Sequence, residues 1–342
     1  MNIALIVGGI SSEREVSLTS GKGILKALRS NGHNVKVIDP VFGSEEISEE
    51  IIFKDLIKEE YPSLEVLKNL QGEKQKNILT CINSKLFDDI DIAFLGLHGK
   101  FGEDGKIQTI LELRGIKYTG SDIISSGIAM DKNISKILFR KNNIPVADWV
   151  AINKNENFDL KSIADSFGLP LVVKPNDEGS TVGLSIVDDI NKLKEAVNLA
   201  FEYSNKILIE KYIKGRELTA TILGGKAYPV IEIIPNEGFY DYQHKYKKGK
   251  TQYICPAEIP ADTAKKAQEY ALTAHNTLGC SVYSRVDFIL DENNNLFCLE
   301  VNTLPGMTEL SLVPKSVKAD GIEFEELIQR ILDLSLMKYQ DE

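Results

Sequence analysis

Charged and amide side chains alternate along two predicted strands near the end of the chain. A polar run, 291–295, separates the strands and predicts a turn. The strands carry one guanidinium, two carboxylates and one amide, which belong to Arg285, Asp287, Glu300 and Asn302. Because side chains alternate between the faces of a strand, Arg285 shares a face with Asp287, and Glu300 with Asn302. If the strand register brings these two faces together, the carboxylate and amide oxygens suit a Mg²⁺ ion that is also bound by substrate phosphates. A hairpin whose charges face water is the alternative.

A loop of small residues at 174–183 joins two predicted strands and could wrap a polyphosphate. Its backbone N–H groups are little obstructed, and Lys174 supplies charge. The GK[ST] ending of a Walker A loop is missing, so a plain hairpin turn is the alternative interpretation. The strand at 208–213 ends in a polar linker that could read an adenine edge, with Glu210 accepting from the exocyclic amine. Glu217 is spaced to reach a ribose.

An acidic residue at the start of the first predicted helix, Glu15, has two interpretations. With Ser12 it fits a capping box that begins the helix. Alternatively, it faces the ligand crevice and pairs with a substrate ammonium. His98 ends a buried type of strand and is the one histidine of four that looks placed for chemistry. Gly8-Gly9 does not complete the GxGxxG pattern of dinucleotide sites.

The composition is that of an ordinary globular protein with two or three domains: 342 residues, 43% hydrophobic and 26% charged. A net charge of −10 argues against a surface for nucleic acid or anionic membrane. No apolar run approaches the length of a membrane span. The N-terminus lacks the features of a signal peptide, and the four cysteines are widely spaced. We therefore expect reduced thiols and a cytoplasmic protein.

Strands and helices alternate in the first part of the chain. Apolar strands at 3–7, 35–38 and 90–97 and helical spacing at 16–28 predict a parallel, doubly wound sheet. The stretch 43–85 is polar with weak periodicity. Ligands on such sheets bind at the carboxyl ends of the strands. Later predicted helices cover 130–142, 160–167, 190–203, 262–278 and 324–336, and later strands 149–152, 171–174, 206–211, 216–223 and 227–234, with a polar, aromatic loop at 236–252.

These segments, taken in order, resemble the D-alanine–D-alanine ligases of the ATP-grasp superfamily over nearly the whole chain. The motifs that carry the resemblance are Gly8-Gly9, Glu13-Arg14-Glu15-Val16-Ser17, His98-Gly99, Gly102-Glu103-Asp104-Gly105, Tyr118-Thr119-Gly120-Ser121, Met130-Asp131-Lys132, 174–183, Tyr240-Asp241-Tyr242, Lys245-Tyr246, Cys255-Pro256-Ala257 and Asn302-Thr303-Leu304-Pro305-Gly306. The resemblance implies an α/β, three-domain ATP-grasp architecture. Its N-terminal domain (1–120) is the doubly wound parallel-sheet, pre-ATP-grasp domain. The central ATP-grasp subdomain is expected at 121–210 and the C-terminal subdomain, with the metal site, at 211–342.

The resemblance also implies a reaction. ATP phosphorylates the carboxylate of one D-alanine, and the amine of a second D-alanine attacks the acyl phosphate for peptidoglycan precursor synthesis. Two Mg²⁺ ions, which Mn²⁺ can replace, would be held by Asp287, Glu300 and Asn302. Family members are commonly homodimers, and we carry that expectation over.

Roles of further residues follow from the same resemblance. Lys132 and Lys174 would clamp phosphates, and Arg285 and the N–H of Gly306 would stabilise the oxyanion. Glu15 would bind the first D-alanine with His98 nearby, and would be linked through Ser180 to Tyr246 on a lid. The adenine and ribose contacts would be Glu210, Lys211, Tyr212, Ile213 and Glu217, and the second-substrate pocket Ser311 and Leu312.

Three other functions compete with this one. A D-alanine–D-serine or D-alanine–D-lactate ligase of the same family differs at the acceptor pocket, and Tyr246 favours D-alanine because lactate-using relatives carry His there. An NAD-dependent dehydrogenase would need the missing glycine pattern. A nucleotide-binding regulator without catalysis would be expected to lose members of the set Arg285, Asp287, Glu300 and Asn302, which is intact.

Overall fold

A three-stranded parallel sheet forms the first part of the computed structural model, which describes residues 1–54, 64–236, 251–309 and 311–340. Its strands are parallel, as the continuous apolar strands predicted, and their order is β2-β1-β3. The elements are β1 (Asn2–Ile6), α1 (Arg14–Ser30), β2 (Asn34–Ile38), α2 (Glu49–Ile52), α3 (Leu64–Ile82), β3 (Ile92–Leu95) and α4 (Lys106–Leu113), with 3₁₀ turns at Pro40–Phe42 and Lys85–Phe87. The sheet is buried on both faces, which explains its continuous apolar strands.

A four-stranded antiparallel sheet of order β4-β7-β5-β6 follows. Its elements are β4 (Trp149–Asn153), α7 (Leu160–Phe167), β5 (Leu171–Pro175), β6 (Ser185–Val187), α8 (Ile190–Tyr203) and β7 (Lys206–Lys211). In chain order, the helices α5 (Ile123–Met130) and α6 (Lys132–Lys141) come between the strands of the first sheet and those of the second. The helix expected at 130–142 is α6, which begins at Lys132 because Asp131 caps it by accepting from the Ile134 N–H at 2.9 Å. The sequence did not predict α5.

A six-stranded sheet carries the hairpin on which the chemistry was predicted. Its order is β11-β10-β8-β12-β13, and β9 pairs with β8. The elements are β8 (Gly215–Leu223), β9 (Lys226–Ala227), β10 (Ile231–Pro235), β11 (Thr251–Ile254), α9 (Ala261–Thr277), β12 (Tyr283–Asp291) and β13 (Leu296–Asn302). Side chains of α5, α6 and α9 share its hydrophobic core. The domain boundaries expected at 120 and 210 stay a prediction.

The last two helices return to the first sheet. They are α10 (Leu312–Lys318) and α11 (Phe324–Met337). Leu327 and Ile331 of α11 lie in the same buried cluster as Ile3 and Leu28 of the N-terminal part. The Tyr339 hydroxyl accepts from the Tyr118 N–H at 3.0 Å. This packing anchors the end of the chain to the parallel sheet.

The 19-residue helix α3 lies within the stretch that the sequence marked only as polar with weak periodicity. Its buried apolar side chains lie near both ends, with Leu67 at the start and Ile78, Cys81 and Ile82 at the end. The turns between them are mostly polar, which interrupts the helical pattern in the sequence.

Candidate active site

The hairpin β12–β13 brings together the four side chains predicted on it. Asp287 is paired with Glu300 and Arg285 with Asn302, so all four share one face. The Arg285 guanidinium donates to both oxygens of Asp287, at 2.9 and 2.8 Å. The Asn302 amide donates to Asp287 at 3.1 Å, and the Thr219 hydroxyl donates at 2.6 Å. These side chains form one polar cluster, not a solvated turn.

Lys132 connects this cluster to the small-residue loop. Its ammonium lies 3.0 Å from the Glu300 carboxylate and donates to the Glu178 carbonyl at 2.7 Å. Burial opposes its charge most strongly, but Glu300 together with Glu178 and Asp177 outweighs burial and raises the pKa of Lys132. Lys132 therefore remains a cation, as a phosphate-binding group requires.

A cavity of about 430 Å³ lies between the four-stranded and six-stranded sheets. Its lining unites the predicted phosphate, adenine, ribose and metal groups, which are Lys132, Lys174, Ser180, Glu210, Lys211, Tyr212, Ile213, Glu217, Asp287 and Glu300. Glu210 is buried beside two lysines, Lys136 and Lys174, each with its ammonium 3.1 Å from the same carboxylate oxygen. The sequence analysis did not select Lys136. Its signal was its position four residues after Lys132 on one helix.

The loop after β5 contacts the N-terminal part through Glu13. Ser180 donates a short hydrogen bond to the Glu13 carboxylate. The acidic partner of Ser180 is therefore Glu13, and the expectation that Glu15 fills this position is wrong in this respect. A Cβ on Gly179 would lie 2.7 Å from a Glu13 oxygen, so a larger residue there would displace the Glu13 carboxylate from its present position.

The position at which α1 begins explains why Glu13, and not Glu15, contacts Ser180. The helix begins at Arg14, with Glu13 in the capping position but without a side-chain capping bond. The capping box expected from Ser12 and Glu15 does not form. The Glu13 side chain is instead 7% exposed and turned toward Ser180, whereas Glu15 lies half-buried in the first helical turn.

His98 lies between two protein partners. Its Nδ1 lies 2.7 Å from the Leu304 carbonyl, which can only accept, so Nδ1 carries the proton. Its Nε2, 3.0 Å from the Ser20 hydroxyl, then accepts, and Ser20 accepts from the Met307 N–H at 3.2 Å. Burial lowers the pKa of His98, consistent with a neutral ring. His98 therefore positions the segment 304–307, a role that the sequence did not predict.

Glu103 holds the same segment and was also missed. It accepts from the Gly99 N–H at 2.7 Å and from the Leu304 N–H at 2.9 Å. Burial, reinforced by Glu13, raises the pKa of Glu103 to about 8. The sequence signal for Glu103 was the Gly102-Glu103-Asp104-Gly105 motif. The partner of Glu103, Leu304, lies 201 residues away in the chain, so the motif alone did not show its role.

The predicted second-substrate residues follow this segment. The Ser311 hydroxyl accepts from the Thr308 N–H at 3.0 Å, and it lies 3.2 Å from where a Cβ of Gly306 would be. Ser311 immediately precedes α10, and Leu312 is buried beside Ile231 and Ile233. Gly306, Ser311 and Leu312 are thus neighbours at the end of β13.

Family models match both parts of the chain. The model described as D-ala D-ala ligase N-terminus matches residues 2–121, and that described as D-ala D-ala ligase C-terminus matches residues 138–333. A D-alanine–D-alanine ligase of Geobacter sulfurreducens is 41% identical over 341 residues, 99% of this chain and 96% of that protein. The chain belongs to the D-alanine–D-alanine ligase family.

Solved structures of ligases agree with this assignment. The D-alanine–D-alanine ligase of Bacillus anthracis complexed with ATP has a TM-score of 0.77 and 36% identity, covering 100% of this chain and 99% of that chain. The VanG D-Ala:D-Ser ligase of Enterococcus faecalis has a TM-score of 0.79 and 31% identity, covering 98% and 99%. The α/β ATP-grasp fold with a parallel-sheet N-terminal part is thereby confirmed.

The predicted lid of this ligase lies largely outside the described residues. Tyr246 falls there, as do Tyr240, Tyr242 and Lys245. Among the helices that the structure describes, none has the length and apolar character to span a membrane.

The donor set of the ligase site fits magnesium. Within the ranges that the structure describes, no three His, Cys, Asp or Glu side chains form a cluster that could enclose a metal. Asp287, Glu300 and Asn302 supply oxygen atoms alone, and two of them are carboxylates paired here with Arg285 and Lys132. Such an open oxygen set is typical of Mg²⁺ completed by substrate phosphates.

Proposed function

We propose that the protein is an ATP-dependent ligase that joins two D-alanines through a D-alanyl phosphate, releasing ADP and phosphate. One contact carries the proposal, the bond between Glu13 and Ser180. It joins an acid suited to a substrate ammonium to a loop that lines the nucleotide cavity. The carboxylate to be phosphorylated and the ATP phosphates would therefore meet at this loop. The product would serve peptidoglycan precursor synthesis.

We assign the phosphate-binding charge to Lys132 and Lys174. Both line the cavity and are buried, so their attraction for phosphate is little screened by water. Asp287, Glu300 and Asn302 would hold two magnesium ions, which manganese can replace. When bound, these ions would neutralise charge on the transferring phosphoryl group.

We assign nucleotide recognition to the end of β7. Lys211, Tyr212 and Ile213 would offer backbone groups to the adenine edge, and Glu210 would accept from its exocyclic amine. Glu217, which also lines the cavity, would bind the ribose.

We assign the second half-reaction to Arg285 and to the segment held by His98 and Glu103. Attack of the second amine on the acyl phosphate creates an oxyanion, which Arg285 and the Gly306 N–H would stabilise. Ser311 would bind the second carboxylate and Leu312 would line its pocket. A lid carrying Tyr246 would exclude water, because water hydrolyses an acyl phosphate.

Acceptor choice distinguishes D-alanine from D-serine and D-lactate, and the experiment is a competition among the three. The enzyme with Mg²⁺, ATP and D-alanine is offered each acceptor, and the products are identified by mass. D-alanyl-D-alanine as the main product supports the proposal. A preference for the D-serine or D-lactate product would contradict the argument from Tyr246. If no phosphate is released with any of the three acceptors, the proposed function is contradicted. We extend the proposal to a cytoplasmic homodimer with the three domains expected from the sequence.

Lys100 is expected to hold the loop in place. Its ammonium lies 2.6 Å from Glu178 and 3.3 Å from Asp177, which ties the N-terminal part to the loop that carries Ser180. In Lys100→Met we expect kcat/KM for D-alanine to fall about tenfold, the effect of a lost contact of roughly 1.4 kcal/mol. Steady-state kinetics measures this. Lys106→Met is the control, because Lys106 pairs with Asp104 at the surface; equal losses in both variants would contradict the role of Lys100.

A further inference from the structure

A fully enclosed lysine lies beside the nucleotide cavity and has no role in the chemistry above. Lys136 on α6 has a side chain with 0% exposure. Its ammonium lies 3.1 Å from a Glu210 oxygen and 5.4 Å from the centre of the Trp149 ring. The Glu210 side chain is buried as well, with 4% exposure. The contact is therefore an ion pair within a low-dielectric environment.

Two ammonium groups face one carboxylate in this cluster. Lys174 lies at the same distance, 3.1 Å, from the same Glu210 oxygen. Burial would raise the pKa of Glu210, but Lys136 and Lys174 together lower it. Burial, reinforced by Lys174, lowers the pKa of Lys136, and Glu210 opposes that shift. With both lysines protonated, the cluster holds one positive charge more than neutralises Glu210.

The two lysines differ in access to the cavity. Lys174 lines it, beside Ser180 and Glu178 of the phosphate loop. Lys136 is enclosed behind Glu210. If Lys174 turns to a phosphate, Glu210 would remain as an uncompensated buried charge unless another cation stays with it, and such a charge is strongly unfavourable.

We infer that Lys136 is the permanent counter-charge of Glu210, and that it thereby releases Lys174 to bind the phosphates of ATP. This inference rests on the phosphate-binding role proposed for Lys174. Lys136 is a positioning residue, since it acts through Glu210 and Lys174 and touches no substrate. Without it, Glu210 would retain Lys174 and compete with ATP for its charge.

The test is a double-mutant cycle on the affinity for Mg-ATP, measured by calorimetry on the full chain without D-alanine. Lys136→Met should weaken binding about tenfold or more, because the phosphates lose Lys174. In the Glu210→Gln background, Lys136→Met should change the affinity less than about twofold, because no carboxylate competes for Lys174. Arg140→Met is the matched control. Arg140 lies one turn later, with its guanidinium 4.4 Å from the Trp149 ring centre, but pairs with exposed Asp148.

Each outcome decides the inference. Equal losses from Lys136→Met in both backgrounds, or no loss in the wild-type background, would overturn it. Thermal denaturation shows whether Lys136→Met alone folds. If it does not, the Mg-ATP affinities of Glu210→Gln and the double variant are compared, because neither protein contains an unpaired buried carboxylate at 210. A difference of more than about twofold between these two affinities would overturn the inference. A wild-type protein that binds no ATP would overturn the proposed function, and with it this inference, whereas additive losses in an ATP-binding protein overturn the inference alone.

Discussion

Glu300→Gln should lower kcat by a factor of about 10²–10³ while leaving the fold intact. The amide keeps the shape of the side chain but removes one of the two carboxylates that would hold magnesium. It also removes the partner of Lys132, which lies 3.0 Å away. The effect should appear in kcat, measured as phosphate release at saturating ATP and D-alanine, because the lost charge acts on the transferring phosphoryl group.

Glu292→Gln is the matched control for this substitution. Glu292 lies exposed in the turn between the same two strands and undergoes the same chemical change. Its kcat should stay within about twofold of the wild-type value. A folded Glu300→Gln protein with kcat close to that of the control would contradict the metal assignment.

Glu13→Gln should lower kcat/KM for the first D-alanine by a factor of about 10²–10³, with little change in the KM for ATP. The reason is the loss of a buried negative charge that would pair with the substrate ammonium. Ser180 would keep an acceptor, because the amide oxygen of glutamine can still receive its hydrogen bond. Steady-state kinetics with varied D-alanine measures the effect.

Glu15→Gln separates this assignment from the one that the sequence suggested. Glu15 lies two residues after Glu13, in the first turn of α1, and undergoes the same change. Its kcat/KM should fall much less than that of Glu13→Gln. The reverse order of the two variants would restore Glu15 as the substrate-binding acid and contradict the argument from the Ser180 contact.

The β12–β13 site was predictable from the sequence because its geometry is local. A period of two residues fixes the face of each side chain, and a five-residue polar turn fixes which strands pair. The observed register, with Asp287 opposite Glu300, is the one that the metal-binding hypothesis required. The parallel N-terminal sheet was predictable for a similar reason, since buried parallel strands are continuously apolar.

The choice between Glu13 and Glu15 depended on a detail that sequence patterns do not resolve. A helix that begins at Arg14 leaves Glu13 outside its first turn, and a shift of one or two residues changes which acid faces the loop. Lys136 and Glu103 were missed for another reason. Their partners, Glu210 and Leu304, are distant in the chain, so only the folded structure shows why these charged residues are buried.

The most direct test of the proposed reaction follows an oxygen atom. D-alanine labelled with ¹⁸O in its carboxylate is incubated with the enzyme, Mg²⁺ and ATP, and the released phosphate is analysed by mass. Because the carboxylate oxygen that attacks the γ-phosphorus leaves with it, we predict D-alanyl-D-alanine together with phosphate that carries one ¹⁸O atom. Unlabelled phosphate, or label in AMP, would contradict a D-alanyl phosphate intermediate and the proposed mechanism.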